Sequence, residues 1–215
     1  MKRVGAEFLG TLILVTIVVG SGIMATNISQ DVGIQLLINT ISTVFGLGVL
    51  ILILAPISGA HFNPVVTMVD LIQGKSSVGQ FIQYSIAQVL GASTGALLAN
   101  AMFDEVIFQS ATKIRSGGNL FLAEIVATAG LILVINLLIN QDNLKAIPVA
   151  VAAWIGSAYF FTSSTSFANP AVTVGRTLSD SFAGIAPGSA PSFIAAQILG
   201  ALIGLGLVKL LTHDK

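Results

Sequence analysis

Two Asn-Pro pairs, Asn63-Pro64 and Asn169-Pro170, are the residues whose types and order most clearly suggest a chemistry. Proline fits the first turn of a helix, where its missing N–H would lack a partner, and an Asn before it caps that helix. Each pair therefore predicts a helix N-terminus that combines a positive dipole end with an Asn amide. Two such helix ends at the same depth in a membrane would disfavour cations and protons there, and their Asn amides would donate hydrogen bonds to a neutral molecule. For either pair alone, an ordinary helix start is the alternative.

Two carboxylates, Glu7 and Glu124, stand inside apolar stretches. An ionised carboxylate costs about 2.5–3.5 kcal/mol or more inside a membrane, so both need partners. One hypothesis makes them proton or ion sites of a coupled transporter. The other has each accept N–H bonds from irregular backbone that lipid cannot satisfy. Their matched positions, each after an Ala and four residues before a Thr, favour the structural role.

Enzymatic and metal chemistry finds no support in the sequence. The absence of cysteine excludes disulfides, thiolate metal sites and cysteine nucleophiles. No nucleophile–base pair or phosphate loop is present, and His61 has no second His, Cys or carboxylate at ligand spacing, so we interpret it as a structural or vestibule residue. The formal net charge of zero offers no electrostatic hold on nucleic acid. We expect no enzyme, metal, cofactor or nucleic-acid partner.

The composition is that of a membrane protein. Charged residues make up 8% and hydrophobic residues 54% of the 215 residues, whereas soluble domains carry about 25% charged residues. The segments that begin at Asn63 and Asn169 are too short to cross a bilayer and must enter and return. Six apolar stretches are about long enough to cross a bilayer, namely Val4–Ala25, Ile34–Ala55, Val78–Ala101, Leu120–Asn140, Ala146–Thr162 and Pro191–Leu211.

The basic residues of the short loops predict the orientation. With the N-terminus in the cytoplasm, six of them lie inside and three outside. We therefore expect a multi-pass protein of the cell membrane, in contact with the lipid bilayer, with both termini cytoplasmic. The inside set is Lys2, Arg3, Lys75, Lys145, Lys209 and Lys215, and the outside set is Lys113, Arg115 and Arg176.

The two halves of the chain resemble each other. Glu7 recurs as Glu124 and Asn63 as Asn169, at offsets of 117 and 106 residues. Because each half has three spans, an odd number, the second half must be inverted relative to the first. The pattern predicts one domain, residues 1–215, made of two inverted repeats, about 1–110 and 111–215. A transport site is expected at the interface of such repeats.

The segments Ser58–Val65 and Phe167–Ala171 resemble the paired signature loops of the aquaporin, or major intrinsic protein, superfamily. The resemblance implies an all-α membrane protein with six transmembrane helices and two re-entrant half-helices around one pore per subunit, usually a homotetramer. It assigns the pore motifs to Asn63, Pro64, Val65, Asn169, Pro170 and Ala171, with Val65 in place of the usual Ala. On the same reasoning as for the two Glu residues, loop carbonyls should face the pore, from Gly59, Ala60, His61, Phe62, Thr165, Ser166, Phe167 and Ala168.

The family's outer filter differs here at one position. An Arg usually follows the second signature triplet, but this chain has Val172. Counting without gaps from the signature Asn residues places the other filter positions at Thr43, Ser157 and Ser166, with Phe45 as the alternative to Thr43. Such a filter has no cation, no His and no aromatic ring, and we expect it to be wide and weakly polar.

Arg176 lies four residues after Val172 and on the same helix face. It either projects into the outer vestibule and partly replaces the missing filter cation, or lies near the end of the half-helix, solvated or against lipid headgroups. The segment Tyr159–Arg176 is similar to a bacterial subfamily associated with arsenic-resistance operons, and this similarity implies passage of trivalent metalloid hydroxides.

We therefore predict a passive channel for small uncharged solutes, with arsenous acid, glycerol-like polyols and water as candidates. A water-selective channel is the alternative, if Phe45 or Phe161 narrows the pore. An ion-coupled secondary transporter and a closed pore with a junction role remain further alternatives. Saturable, ion-dependent flux would favour the transporter.

Overall fold

The computed structural model describes residues 1–212, which are all-helical apart from loops and turns. Lys215, one of the basic residues used to predict orientation, lies outside the described residues. Three short 3₁₀ turns, Leu144–Ala146, Arg176–Leu178 and Pro187–Ser189, supplement the α-helices. The α-helices are α1 (Lys2–Ile28), α2 (Val32–Ser58), α3 (Pro64–Ile72), α4 (Val78–Met102), α5 (Gly118–Asn140), α6 (Ile147–Phe161), α7 (Pro170–Gly175) and α8 (Ala190–Thr212).

Six long helices and two short ones match the predicted fold. Five helical stretches among the described residues are long and apolar enough to cross a membrane, and one of them is α6 together with the turn before it. The sixth long helix, α4, has the length but carries Gln80, Gln83 and Gln88, which lower its hydropathy. The short helices are α3 and α7, which begin at the two Asn-Pro pairs as the sequence predicts.

Local side-chain chemistry explains where these helices begin and end. The Asp31 carboxylate accepts from Ile34 N at 2.9 Å at the start of α2, and Ser77 Oγ accepts from Gln80 N at 3.1 Å at the start of α4. Helix α2 is capped at its C-terminus by Gly59, whose φ of 95° is a left-handed conformation that glycine adopts without strain.

Close helix crossings rest on small residues. Helix α1 packs against α4, and α5 packs against α8. A Cβ atom at Gly91 or Gly95 of α4 would collide with backbone oxygens of α1, and Gly200 and Gly204 of α8 face the α5 backbone in the same way. These glycines therefore let the helix backbones touch, which helices in a membrane use for association.

Candidate pore and its lining

The two half-helices meet at the centre of the bundle through their Asn caps. The Asn63 side-chain oxygen accepts from Val65 N at 3.1 Å, and that of Asn169 accepts from Ala171 N at 2.9 Å. Each amide nitrogen reaches across to the other loop, from Asn63 to Ala168 O and from Asn169 to Phe62 O, both at 2.8 Å. An amide has two N–H donors, so one N–H of each Asn has no acceptor among the described residues.

Both Asn residues line one cavity of about 740 Å³. The cavity follows α6 from Ile147 to Tyr159, about 18 Å at 1.5 Å per residue. Its wall is largely aliphatic, with Leu47 and Ile155 among the lining residues. A molecule in this cavity therefore meets few polar groups besides the Asn amides, the loops and the two ends.

The loops before the half-helices are held by the two buried carboxylates. The Glu7 carboxylate accepts from His61 N at 3.0 Å and Phe62 N at 2.7 Å, and from the side chains of Ser58 and Gln88. Because the loop amides donate inward to the carboxylate, the loop carbonyls are left for other partners. This is the arrangement that a loop-supporting role requires.

The second loop is built in the same way. The Glu124 carboxylate accepts from Phe167 N and Ala168 N, both at 2.9 Å, and from Gln197 Nε2 at 2.7 Å. Ala168 and Ser166 have positive φ, as do Ala60 and Phe62 of the first loop, a conformation that residues other than glycine seldom adopt. The hydrogen bonds to the carboxylates offset this backbone strain.

Two buried glutamines, Gln88 and Gln197, support the loops, although the sequence predicts no role for them. Each bonds the Glu of its own half and also a Thr, Thr67 or Thr173, that follows the signature Asn by four residues. The recurrence of both the Gln and the Thr in the two halves is the sequence signal that could have revealed them.

Most of the residues whose carbonyls are predicted to face the pore line the cavity, and the direction of the carbonyls themselves stays a prediction. Of the eight residues expected to contribute, Thr165 is absent from the cavity wall. Those that do line it are Gly59, Ala60, His61, Phe62, Ser166, Phe167 and Ala168.

The filter prediction needs correction in α6. Thr43, Ser166 and Val172 line the cavity, but Ser157 does not and its side chain is exposed. Tyr159 takes that place, and its hydroxyl lies 3.3 Å from Thr43 Oγ1. Counting without gaps across the irregular loop was off by two residues, which at 3.6 residues per turn moves a side chain to the opposite helix face. The expected filter without an aromatic ring is therefore wrong.

The bulky alternatives lie elsewhere. Phe45 is 71% exposed on α2 and does not line the cavity. Phe161 is also exposed and packs edge-on against Trp154, with ring centroids 5.5 Å apart. Neither ring lines the cavity. Thr43 rather than Phe45 is therefore the α2 residue that faces the cavity beside Tyr159.

Arg176 is buried at the Tyr159 end of the cavity rather than solvated. It is 2% exposed and lines the cavity, its Nε donates to Ala183 O, and its Cζ lies 3.4 Å from the centroid of the Phe167 ring. A cation is thus present one helical turn beyond Val172, as in the first of the two alternatives for Arg176, and the solvated alternative is wrong. We call this end of the cavity the Arg176 mouth.

The other end of the cavity, near Ile147, is lined by Asp70, His61 and Lys145, and we call it the Asp70 mouth. His61 Nε2 lies 3.3 Å from Asp70 Oδ2, and its Nδ1 lies 3.1 Å from Thr67 Oγ1. The Asp70 carboxylate therefore does contact His61, across two turns of α3, whereas the sequence spacing predicted no carboxylate near His61. One His and one Asp are still too few ligands for a metal site.

Comparison with known proteins agrees with this architecture. The family model described as "Major intrinsic protein" matches residues 1–163 and 136–215, which together span the chain. The chain belongs to the major intrinsic protein family. As a member of this family it is a multi-pass membrane channel protein and not an enzyme.

Individual relatives cover nearly the whole chain. Aquaglyceroporin AqpS of Rhizobium meliloti is 45% identical over 208 residues, covering 97% of this chain and 89% of the relative. Glycerol uptake facilitator protein-like 6 of Lactiplantibacillus plantarum is 30% identical over 219 residues, covering 95% and 93%. The X-ray structure of the aquaglyceroporin from Plasmodium falciparum superimposes with a TM-score of 0.73 at 20% identity, over 99% of this chain and 97% of that one. This last likeness bears on the fold alone.

Proposed function

We propose that this chain is a passive channel whose solutes are small and uncharged, with glycerol-like polyols, arsenous acid and water as the candidate set. The observation that carries the proposal is the pair of Asn amides, Asn63 and Asn169, which line one cavity and each have one N–H without an acceptor among residues 1–212. These donors can hydrogen-bond a neutral solute, while the two half-helix N-termini disfavour cations. The names of the relatives, an aquaglyceroporin and a glycerol uptake facilitator-like protein, support the same solute class.

Selectivity is proposed to reside at the level of Thr43, Tyr159, Ser166 and Val172. Valine offers no fixed donors and leaves room that a guanidinium would fill, so a polyol or a metalloid hydroxide can pass. Arg176 supplies positive charge one turn further along and helps exclude cations. In this proposal Ser157 and Phe45 have no part in selectivity.

Water selectivity is the second candidate, and specific contacts favour it. The Tyr159 ring and the buried Arg176 both occupy space at the Arg176 mouth, whereas the sequence predicted a filter with no aromatic ring and no cation. If they bring the pore down to the size of water, glycerol will not pass.

We further propose that the chain is one domain of two inverted repeats, about residues 1–110 and 111–215, in the cell membrane. The basic-residue count supports cytoplasmic termini, which places the Asp70 mouth inside and the Arg176 mouth outside. A homotetramer is proposed from the family resemblance, and the exposed apolar side chains of α2, such as Phe45 and Val49, fit contact with lipid or another subunit.

Stopped-flow light scattering of proteoliposomes, with water, glycerol and arsenous acid in turn, tests the proposal. We expect each flux to exceed that of empty liposomes, to increase linearly with solute concentration and to be unaffected by collapse of sodium or proton gradients. Glycerol and arsenous acid fluxes equal to those of empty liposomes, with water flux intact, would indicate the water-selective candidate. Saturable, gradient-dependent flux would instead indicate a transporter.

A further inference from the structure

Three basic side chains lie near one another at the Arg176 end of the protein, and of these Arg176 lines the cavity. The carbonyl oxygen of Phe182 accepts from Lys113 Nζ at 3.1 Å and from Arg115 Nη2 at 3.3 Å, so these two cations are neighbours. Arg115 and Arg176 share the ring of Phe167, with Cζ to centroid distances of 5.1 and 3.4 Å. Lys113, Arg115 and Arg176 therefore form one group, which we call the basic cluster.

The basic cluster has no carboxylate partner within residues 1–212. Among residues 1–212, the one contact within 4 Å between a basic and an acidic side chain joins His61 and Asp70, at the opposite mouth. Asp180, on the neighbouring loop, is engaged by Thr112 N at 2.8 Å and by the Thr112 hydroxyl. Glu124 is engaged by the loop amides and Gln197. Three positive charges thus lie together beside the Arg176 mouth with no carboxylate within 4 Å among residues 1–212, and such a group of charges attracts anions.

Most hydrogen-bond donors of the basic cluster are also unused. Lys has three N–H donors and Arg has five, and four of the cluster's donors hold the carbonyls of Phe182, Ala183 and Gly184. The others have no acceptor in the part of the chain that the structure describes. Arg176 is at the same time 2% exposed and part of the cavity wall. A buried guanidinium with spare donors on a cavity is typical of an anion ligand.

The pKa values of Lys113 and Arg115 also favour an anion site. Burial, with the positive charges of Arg115 and Arg176, lowers the pKa of Lys113 to about 8. Burial lowers the pKa of Arg115 to about 10, although Glu124 and Tyr159 act in the opposite direction. A bound anion would relieve the repulsion among the three cations and favour their charged forms.

We propose that the basic cluster binds a tetrahedral oxyanion of the sulfate, phosphate or arsenate type, and that the bound ion obstructs the Arg176 mouth. Several acceptor oxygens on one dianion can take charge-assisted hydrogen bonds from all three side chains, which chloride cannot do. The binding itself does not depend on the proposed channel function, whereas the obstruction rests on it.

Sulfate is the probe, because its charge does not change between pH 7 and pH 9. The melting temperature of the whole protein in nonionic detergent is measured against sodium sulfate and against sodium chloride of equal ionic strength. We expect a saturating rise with sulfate alone. Lys113→Gln should raise the sulfate concentration at half-effect about tenfold, since a hydrogen bond to a charged group is lost, and Lys75→Gln, at an exposed loop on the far side, is the matched control.

Raising the pH to 9 should weaken sulfate binding to the wild type, because Lys113 loses its proton, and should change Lys113→Gln much less. Equal effects of sulfate and chloride, or equal sulfate binding by Lys113→Gln and the wild type, would overturn the binding site. A rise with phosphatidylglycerol but not with sulfate would also overturn it, in favour of a lipid headgroup.

The obstruction is tested by glycerol efflux from proteoliposomes that hold sulfate on both sides, so that protein orientation does not matter. We expect a several-fold slower flux in sulfate than in chloride for the wild type and the Lys75→Gln control, and a smaller difference for Lys113→Gln. Sulfate that binds by the melting assay but leaves glycerol flux unchanged would contradict obstruction. Absence of glycerol flux in every buffer would count against the proposed passage of glycerol and would leave the melting result unaffected.

Discussion

Replacement of Glu124 by Ala should damage folding far more than solute selectivity. The substitution leaves three buried donors without their acceptor, namely Phe167 N, Ala168 N and Gln197 Nε2. Hydrogen bonds to charged groups contribute about 1.5–3 kcal/mol each, while removal of the buried carboxylate returns about 3 kcal/mol. The free energy of unfolding should therefore fall by about 2–6 kcal/mol, since the loop at Ser166 and Ala168 has positive φ and depends on these bonds.

A thermal melt in detergent measures this loss, and we expect a fall of about 5–15 °C at this chain length. Glu105→Ala, which removes an exposed loop carboxylate, is the matched control and should melt like the wild type. Flux is then measured per folded protein, and the order of solutes should be unchanged in Glu124→Ala. Normal melting with abolished flux would refute the reasoning, because Glu124 would then act in transport, as in an ion-coupled transporter.

Three other predictions concern the filter residues and the basic cluster. Val172→Arg should cut glycerol and arsenous acid flux several-fold in stopped-flow assays while sparing water, because a guanidinium fills the space and offers fixed donors; equal loss for all solutes would contradict this. Tyr159→Phe removes the hydroxyl 3.3 Å from Thr43 and should change the ratio of glycerol to water flux, whereas Ser157→Ala should not; a larger effect of Ser157→Ala would restore the gap-free alignment. For Lys113, the folded pKa of about 8 lies below the ordinary value of about 10.4, so the unfolded chain holds more protons between these values and stability should rise with pH there. Melts from pH 7.5 to 10 should show this rise in the wild type relative to Lys113→Gln, and identical profiles would contradict it.

The sequence predicted well those features that depend on local chemistry. The apolar runs predict six long helices because their length and composition are properties of contiguous residues. Asn63 and Asn169 predict helix starts because a cap and an N1 proline act within one turn. The partners of Glu7 and Glu124 were within reach of the same reasoning, since buried carboxylates and unpaired loop amides must find each other.

The tertiary structure decided which side chains face the cavity. Ser157 and Tyr159 differ by two residues, and only the path of the loop Thr162–Ala168, which has no regular period, determines which one lines the cavity. Arg176 owes its burial to the Phe167 ring and to Ala183, which follows it by seven residues in an irregular segment. Local pattern determines where a helix starts and ends, whereas the direction of a side chain beyond an irregular loop depends on contacts between residues distant in sequence.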